Sequence, residues 1–134
     1  MATSKSILIA ERAKATQQTL AFLLHNRGYQ VHQASNGKEA LESARTTAPD
    51  LVIVGGELQG LSGYDLYRLL KMDPAASQVP ILLLVAATDM ADAPTRTLPD
   101  PKYLLSKPFT AHDFLRRVGD LLSEAPEPTP FGGA

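Results

Sequence analysis

The residues able to do chemistry are few and lie far apart in the chain. Glu11 and Arg12 follow directly on the apolar run Ser6-Ile7-Leu8-Ile9-Ala10. Four glycines crowd the stretch Val54-Gly55-Gly56-Glu57-Leu58-Gln59-Gly60-Leu61-Ser62-Gly63. Val85 ends a further apolar run, and Lys107-Pro108 follows the last one. Clustered glycines let backbone N–H groups approach a phosphate. A phosphate cradle also needs a following Lys-Ser/Thr pair or G-x-G-x-x-G spacing, and neither is present, so the stretch reads first as a turn-rich loop. Two more acids lie near it. Asp50, ahead of Leu51-Val52-Ile53-Val54, reads as a solvated turn residue. Glu57, two residues past Gly55, either leans toward Lys107 or Arg12 or stays in solvent. Lys107 has its own plain reading, an ion pair with Glu11 or Glu57. His25, His32 and His112 have no ligand partner at i+4 and read as solvated or structural. The chain has no cysteine, which removes disulfides, thiolate metal sites and Cys nucleophiles together.

The scaffold for these residues is about one domain long, at 134 residues. With 13 Lys+Arg against 14 Asp+Glu, the net charge is −1. Holding nucleic acid by charge alone needs a basic excess, so no direct nucleic-acid partner is expected. The longest wholly apolar run, Ile81 to Ala87, is seven residues, far short of the roughly 20 that span a bilayer. The apolar stretch after Met1-Ala2-Thr3-Ser4-Lys5 is too short for a signal-peptide core. The expected setting is cytoplasm, with no membrane partner.

Strand and helix patterns alternate along the chain. Ser6 to Ala10, Leu51 to Val54 and Val79 to Val85 are continuous apolar runs, each the signature of a strand buried on both faces of a parallel sheet. Tyr29 to Ala34 alternates, with Tyr29, Val31 and Gln33 opposite Gln30 and His32, and reads as an edge strand. Lys102 to Ser106 is the last strand. Between them fall helices. The first has Ala13, Thr16, Leu20, Leu23 and Leu24 on one face and a left-handed stop at Gly28. The second is capped by Ser35 or Asn36 and carries Ala40, Leu41 and Ala44. The third spans Ser62 to Met72, with Leu66, Leu69 and Leu70 inward, and ends at Asp73-Pro74. The last spans Thr110 to Ser123, with a Thr110…Asp113 capping box and the stripe Phe114, Leu115, Val118, Leu121, Leu122. Where the alternation calls for a fourth helix, between Thr88 and Pro101, prolines stand at 94, 99 and 101. An interior proline costs a helix about 3 kcal/mol, so this helix is expected to be shortened or irregular. Residues 1–123 read as the domain, and 124–134 as a Pro/Gly-rich disordered tail or linker. Five βα units imply an α/β fold with an open parallel sheet and helices on both faces. Chemistry in such sheets sits at the carboxyl ends of the strands.

Over roughly residues 5 to 123 the chain resembles the receiver domain of bacterial response regulators. The segments that carry the likeness are Ile7-Leu8-Ile9-Ala10, Ala34-Ser35-Asn36-Gly37-Lys38-Glu39-Ala40-Leu41, Pro49-Asp50-Leu51-Val52-Ile53-Val54, Gly60…Gly63, Leu70-Lys71-Met72-Asp73-Pro74, Val79-Pro80-Ile81 and Lys107-Pro108-Phe109. The resemblance implies a doubly wound, flavodoxin-like five-stranded sheet of order 2-1-3-4-5, a setting in two-component signalling, and a cis Lys107–Pro108 bond. It also implies a phosphorylation site: an acidic pair after strand 1, an acceptor Asp ending strand 3, a Ser/Thr ending strand 4, and a Lys before Pro after strand 5.

Aligned on those segments, the acidic pair is Glu11-Arg12, the acceptor is Gly55 and the hydroxyl residue is Val85. Only Lys107 keeps its type, and Glu57 falls where the family's main chain helps to bind metal. The switch aromatic is displaced, with Leu104 in its place and Tyr103 one residue early. Glycine cannot form an acyl phosphate, Arg12 reverses a charge where a hard Mg²⁺ needs oxygen, and valine cannot donate to a phosphoryl oxygen. The expectation is a degenerate, pseudo-receiver pocket formed by Glu11, Arg12, Gly55, Glu57, Val85 and Lys107, with no catalytic residue, no metal and no cofactor. The chain would be no enzyme but a protein-interaction module, monomeric or weakly dimeric. Its partner face is expected on the 88–101 segment, the last strand and the last helix, through Met90, Arg96, Lys102, Tyr103, Arg116 and Arg117. Two other readings stay open: a receiver phosphorylated at an atypical residue, and a flavodoxin-like binder of nucleotides or small ligands.

Overall fold

The structure, a computed structural model, describes residues 5–55, 57–58, 61–86 and 103–124. Its elements are β1 (Ser6–Ala10), α1 (Lys14–His25), β2 (Gln30–Ala34), α2 (Gly37–Thr47), β3 (Leu51–Gly55), β4 (Glu57–Leu58), β5 (Leu61–Ser62), α3 (Gly63–Met72), β6 (Ile81–Ala86), β7 (Leu104–Lys107) and α4 (Ala111–Glu124). The main sheet is parallel and ordered β2-β1-β3-β6-β7. Counting its own strands alone, the order is the expected 2-1-3-4-5.

Each apolar strand is buried on both faces because its alternate side chains enter two separate cores. Leu8, Ala10, Val52, Val54, Ile81, Leu83 and Val85 pack against Ala40 and Ala44 of α2 and Leu66 and Leu70 of α3. Ile7, Ile9, Leu51, Ile53, Leu82 and Leu84 pack against Leu20, Ala21 and Leu24 of α1 and Phe114, Val118 and Leu121 of α4. This two-faced burial explains why Ile7 to Ala10, Leu51 to Val54 and Ile81 to Val85 have no polar positions.

Local chemistry sets the helix ends. Asn36 Oδ1 accepts the Glu39 N–H at 2.9 Å, so Asn36 caps α2. Ser62 Oγ accepts the Asp65 N–H at 3.1 Å at the start of α3. Thr110 Oγ1 accepts the Asp113 N–H at 3.0 Å ahead of α4. Gly28 takes φ 89°, the left-handed conformation expected after α1. The Lys107–Pro108 peptide is cis, as the family resemblance implies.

Several expected details differ. The buried face of α1 is Gln17, Leu20, Ala21 and Leu24, whereas Ala13 is the exposed N-cap and Thr16 and Leu23 are half-buried. The stripe is rotated because a polar residue, Gln17, points inward. In α3, Leu69 is 40% exposed beside a fully buried Leu70. In β2 only Ala34 is buried, and Gln33 is exposed while His32 is half-buried, so the expected alternation is not kept. Strand β6 begins at Ile81, and the Pro80 carbonyl accepts the Val52 N–H at 3.1 Å from outside it. Strand β7 is shifted two residues at its start and includes Lys107. The glycine-rich stretch holds a small antiparallel hairpin, Glu57 opposite Ser62 and Leu58 opposite Leu61. Asp50 is no solvated turn residue: Asp50 Oδ2 accepts the Ser6 N–H at 2.8 Å, and Asp50 donates its own N–H to the Ser6 carbonyl at 2.7 Å. This pair joins β1 and β3 at the end of the sheet opposite the candidate site. The irregular segment 88–101 and the tail beyond Glu124 lie outside the described residues.

Candidate functional site

Strand register brings the aligned residues to one edge of the sheet. Ala10 pairs with Val54, so Glu11, one step on, faces Gly55 at the end of β3. Gly55 pairs with Leu84, Val85 with Ser106 and Ala86 with Lys107. Glu11, Gly55, Val85 and Lys107 therefore share the carboxyl ends of four adjacent strands, and Arg12 lies exposed in the loop before α1. Glu57 opens the β4–β5 hairpin, and its side chain lies outside the described part of the structure.

Glu11 is the residue that defines the pocket. It is only 5% exposed. Oε2 accepts the Ala13 N–H at 3.1 Å. Its backbone carbonyl accepts from Gln17 Nε2 at 2.8 Å, and the same amide donates to the Ala34 carbonyl at 3.2 Å. Its N–H donates to that Ala34 carbonyl at 3.1 Å. Oε1 is buried and has no hydrogen-bond partner. It points at Gly55: a Cβ placed there would collide with Oε1 and lie 2.9 Å from the carboxyl carbon and 3.3 Å from Oε2. Nothing but a glycine at 55 leaves room for this carboxylate.

Neither reading of Glu57, leaning toward Lys107 or Arg12 or staying in solvent, falls on described side-chain atoms, and the carboxylate that lies over Gly55 is that of Glu11. The strand register of the folded sheet brings this about, since the residue after β1 faces the last residue of β3. Gln17 was missed because the helical stripe was read from small and apolar positions alone. It is 1% exposed, and burial of an amide requires partners, which Glu11 and Ala34 supply. Lys107 is half-buried, and the pairing expected with Glu11 is not made among the described residues. Val85 is fully buried in the core under α2 and α3.

A hard divalent cation, which the resemblance implies for such a pocket, needs several oxygen ligands. Among the described residues the donor set does not fit it. Glu11 turns one carboxylate oxygen under the sheet edge and commits the other to Ala13, and the neighbouring position carries a guanidinium. Among the described residues no three His, Asp or Glu side chains converge.

On the expected partner face, Arg116 is exposed on α4. Tyr103 is half-buried against the α1–α4 core, and Arg117 Nη1 donates to the Leu104 carbonyl at 2.5 Å. Both side chains thus take part in the fold. Met90, Arg96 and Lys102 lie outside the described residues.

The sequence profile of the response regulator receiver domain matches residues 7–119. The DNA-binding response regulator MtrA of Mycobacterium tuberculosis is 30% identical over 112 residues, covering 84% of this chain and 48% of that protein. The chain thus spans about half the length of the curated relatives it matches there. The polar-differentiation response regulator DivK of Brucella anthropi is 26% identical over 121 residues, covering 90% of this chain and 98% of that one. A putative response regulator from Chloroflexus aurantiacus superposes with a TM-score of 0.80 at 29% identity, over 91% of this chain and 100% of that one. The signal receiver domain of a histidine kinase from Syntrophus aciditrophicus gives a TM-score of 0.76 at 27% identity, over 92% and 94% of the two chains.

Proposed function

Since the chain belongs to the response regulator receiver family of two-component signalling, we propose that it is a pseudo-receiver, which signals by protein contact and takes no phosphoryl group. The observation that carries this reading is the Glu11 carboxylate lodged over Gly55, in space that a side chain at 55 would need. An acyl phosphate requires a carboxylate open to a donor. The position aligned with the acceptor has no side chain, and the carboxylate beside it is buried. The other parts of the phosphorylation machinery are changed as well: Arg12 stands for the second acid, and the fully buried Val85 for the hydroxyl residue.

The domain boundary near residue 123, a cytoplasmic setting, a monomeric or weakly dimeric state and a protein partner belong to the same proposal. Of the described partner-face residues, Arg116 is the one whose side chain is exposed. No helix among the described residues is long and apolar enough to cross a membrane.

The test is exposure of the whole chain to a small-molecule phosphodonor with Mg²⁺, followed by intact-mass measurement and mapping of any labelled carboxyl. No mass gain is expected. Labelling of any Asp or Glu establishes the atypical-phosphorylation reading instead.

A further inference from the structure

Glu11 is tied to three elements at once. Its carboxylate rests against the end of β3 at Gly55. Its N–H and, through Gln17, its carbonyl reach the end of β2 at Ala34. Its Oε2 holds the N–H of Ala13, the N-cap of α1. Ala13 has no side chain able to cap the helix, and its own N–H is held by Glu11 Oε2. The first turns of α1 form one wall of a groove of about 260 Å³ lined by Ala15, Thr16, Thr19, Leu20 and Phe109.

We propose that Glu11 is a latch between the space over Gly55 and the first turn of α1. With that space empty of a side chain, the carboxylate seats inward and fixes Ala13. Anything that fills the space expels the carboxylate, releases Ala13 and alters the groove beside Phe109. The seat is held weakly enough to be left. Oε1 has no partner there, and an unpartnered buried polar atom costs free energy that water would return. The three heavy atoms that a Cβ at 55 would meet first all belong to Glu11, the flexible end of one side chain, so the collision resolves by that side chain swinging out. This latch rests on the Glu11–Gly55 geometry and not on the absence of phosphorylation, so the labelling test above and the test below fail independently.

The test uses the full chain, its Glu11→Ala and Gly55→Ala variants and the double variant, with amide shifts and hydrogen exchange read by NMR. Glu11→Ala is expected to quicken exchange at the Ala13 amide by about tenfold, the scale of one lost hydrogen bond. Gly55→Ala is expected to produce the same change, with matching shifts at Ala15, Thr16 and Phe109. The double variant is expected to add nothing to either single one, because both remove the same contact. An Ala13 amide unchanged in Gly55→Ala, or single effects that sum in the double variant, overturns the latch. If Gly55→Ala does not fold, recovery of folding in the double variant supports the latch. Failure of both means that the new methyl group meets something other than Glu11, and the latch is wrong.

Discussion

Arg45 on α2 and Asp73 at the end of α3 meet through a 2.6 Å contact from Nε to Oδ2. Asp73 Oδ1 accepts the Ala75 N–H at 2.9 Å, and the Asp73 N–H donates to the Leu70 carbonyl at 3.2 Å. One residue therefore ends α3 through its backbone N–H, and through its side chain shapes the turn that follows and ties α3 to α2.

This arrangement predicts an acid-sensitive contribution to stability. The Ala75 N–H, and then the Arg45 guanidinium, hold the Asp73 carboxyl below its ordinary value of 3.8. A carboxyl whose value is lower in the folded chain than in the unfolded one binds fewer protons when folded. Its stabilising effect is whole above 3.8 and is lost as the pH falls through the folded value. Asp73→Asn keeps the oxygen that faces Ala75 and removes the charge. Thermal unfolding of both proteins should show a gap near neutral pH that narrows on acidification below 3.8. A gap of constant size through that range contradicts the assignment.

Leu69 and Leu70 are expected to separate sharply under truncation. Leu70 is fully buried between α3 and the sheet, and Leu69 is 40% exposed. Leu70→Ala should cost about 2–5 kcal/mol in urea unfolding, through lost transfer free energy and the cavity left behind. Leu69→Ala should cost at most about 1 kcal/mol. Equal losses would place Leu69 in the core after all.

These leucines also mark where the sequence was legible. Runs such as Leu51 to Val54 announce a strand covered on both faces, and five strands in alternation with helices point to an open parallel sheet. A helical face is harder to read. Leu69 and Leu70 are equally apolar, and only the packing of α3 against α2 and the sheet decides which turns in. That the pocket residues Glu11, Gly55, Val85 and Lys107 meet at one edge of the sheet was legible, because each ends or follows a run that reads as a strand. The occupant was not legible, because alignment compares each position with its family counterpart and not with its neighbour across the sheet. Glu11, beside the Arg12 that breaks the aligned acidic pair, takes the space over Gly55. Gln17 shows the same blind spot, since its inward turn is explained only by the carbonyls of Glu11 and Ala34, which belong to other elements.

Gln17→Leu keeps nearly the same volume and removes both of those bonds. The Glu11 carbonyl then loses the Gln17 amide, and the Ala34 carbonyl retains the Glu11 N–H. An orphaned buried acceptor costs about 1–3 kcal/mol. Chemical denaturation should show a lower midpoint with an unchanged slope. A variant as stable as the parent chain would mean that water replaces the amide at no cost.

On the pseudo-receiver reading, Gly55→Asp places a carboxylate at the position aligned with the family's acceptor and is nevertheless expected to take no phosphoryl group. The new Cβ would collide with Glu11 Oε1, so the Glu11 side chain has to leave its seat before the introduced aspartate fits. Two carboxylates would then crowd the end of β3, each disfavouring the charge of the other. The position next to Glu11 would still hold Arg12, which brings a cation where the metal of an ordinary receiver finds an oxygen. At the end of the neighbouring strand Val85 would still offer no donor to a phosphoryl oxygen, and its full burial leaves no room for water to serve instead. Gly55→Asp combined with Arg12→Asp and Val85→Thr supplies all three parts, and this triple variant is the one expected to be labelled by a phosphodonor in the presence of Mg²⁺. Removing Mg²⁺ with a chelator should abolish that labelling. If Gly55→Asp alone gains a phosphoryl group by intact mass, the pocket lacks only its acceptor, and Arg12 and Val85 are no obstacle to the chemistry.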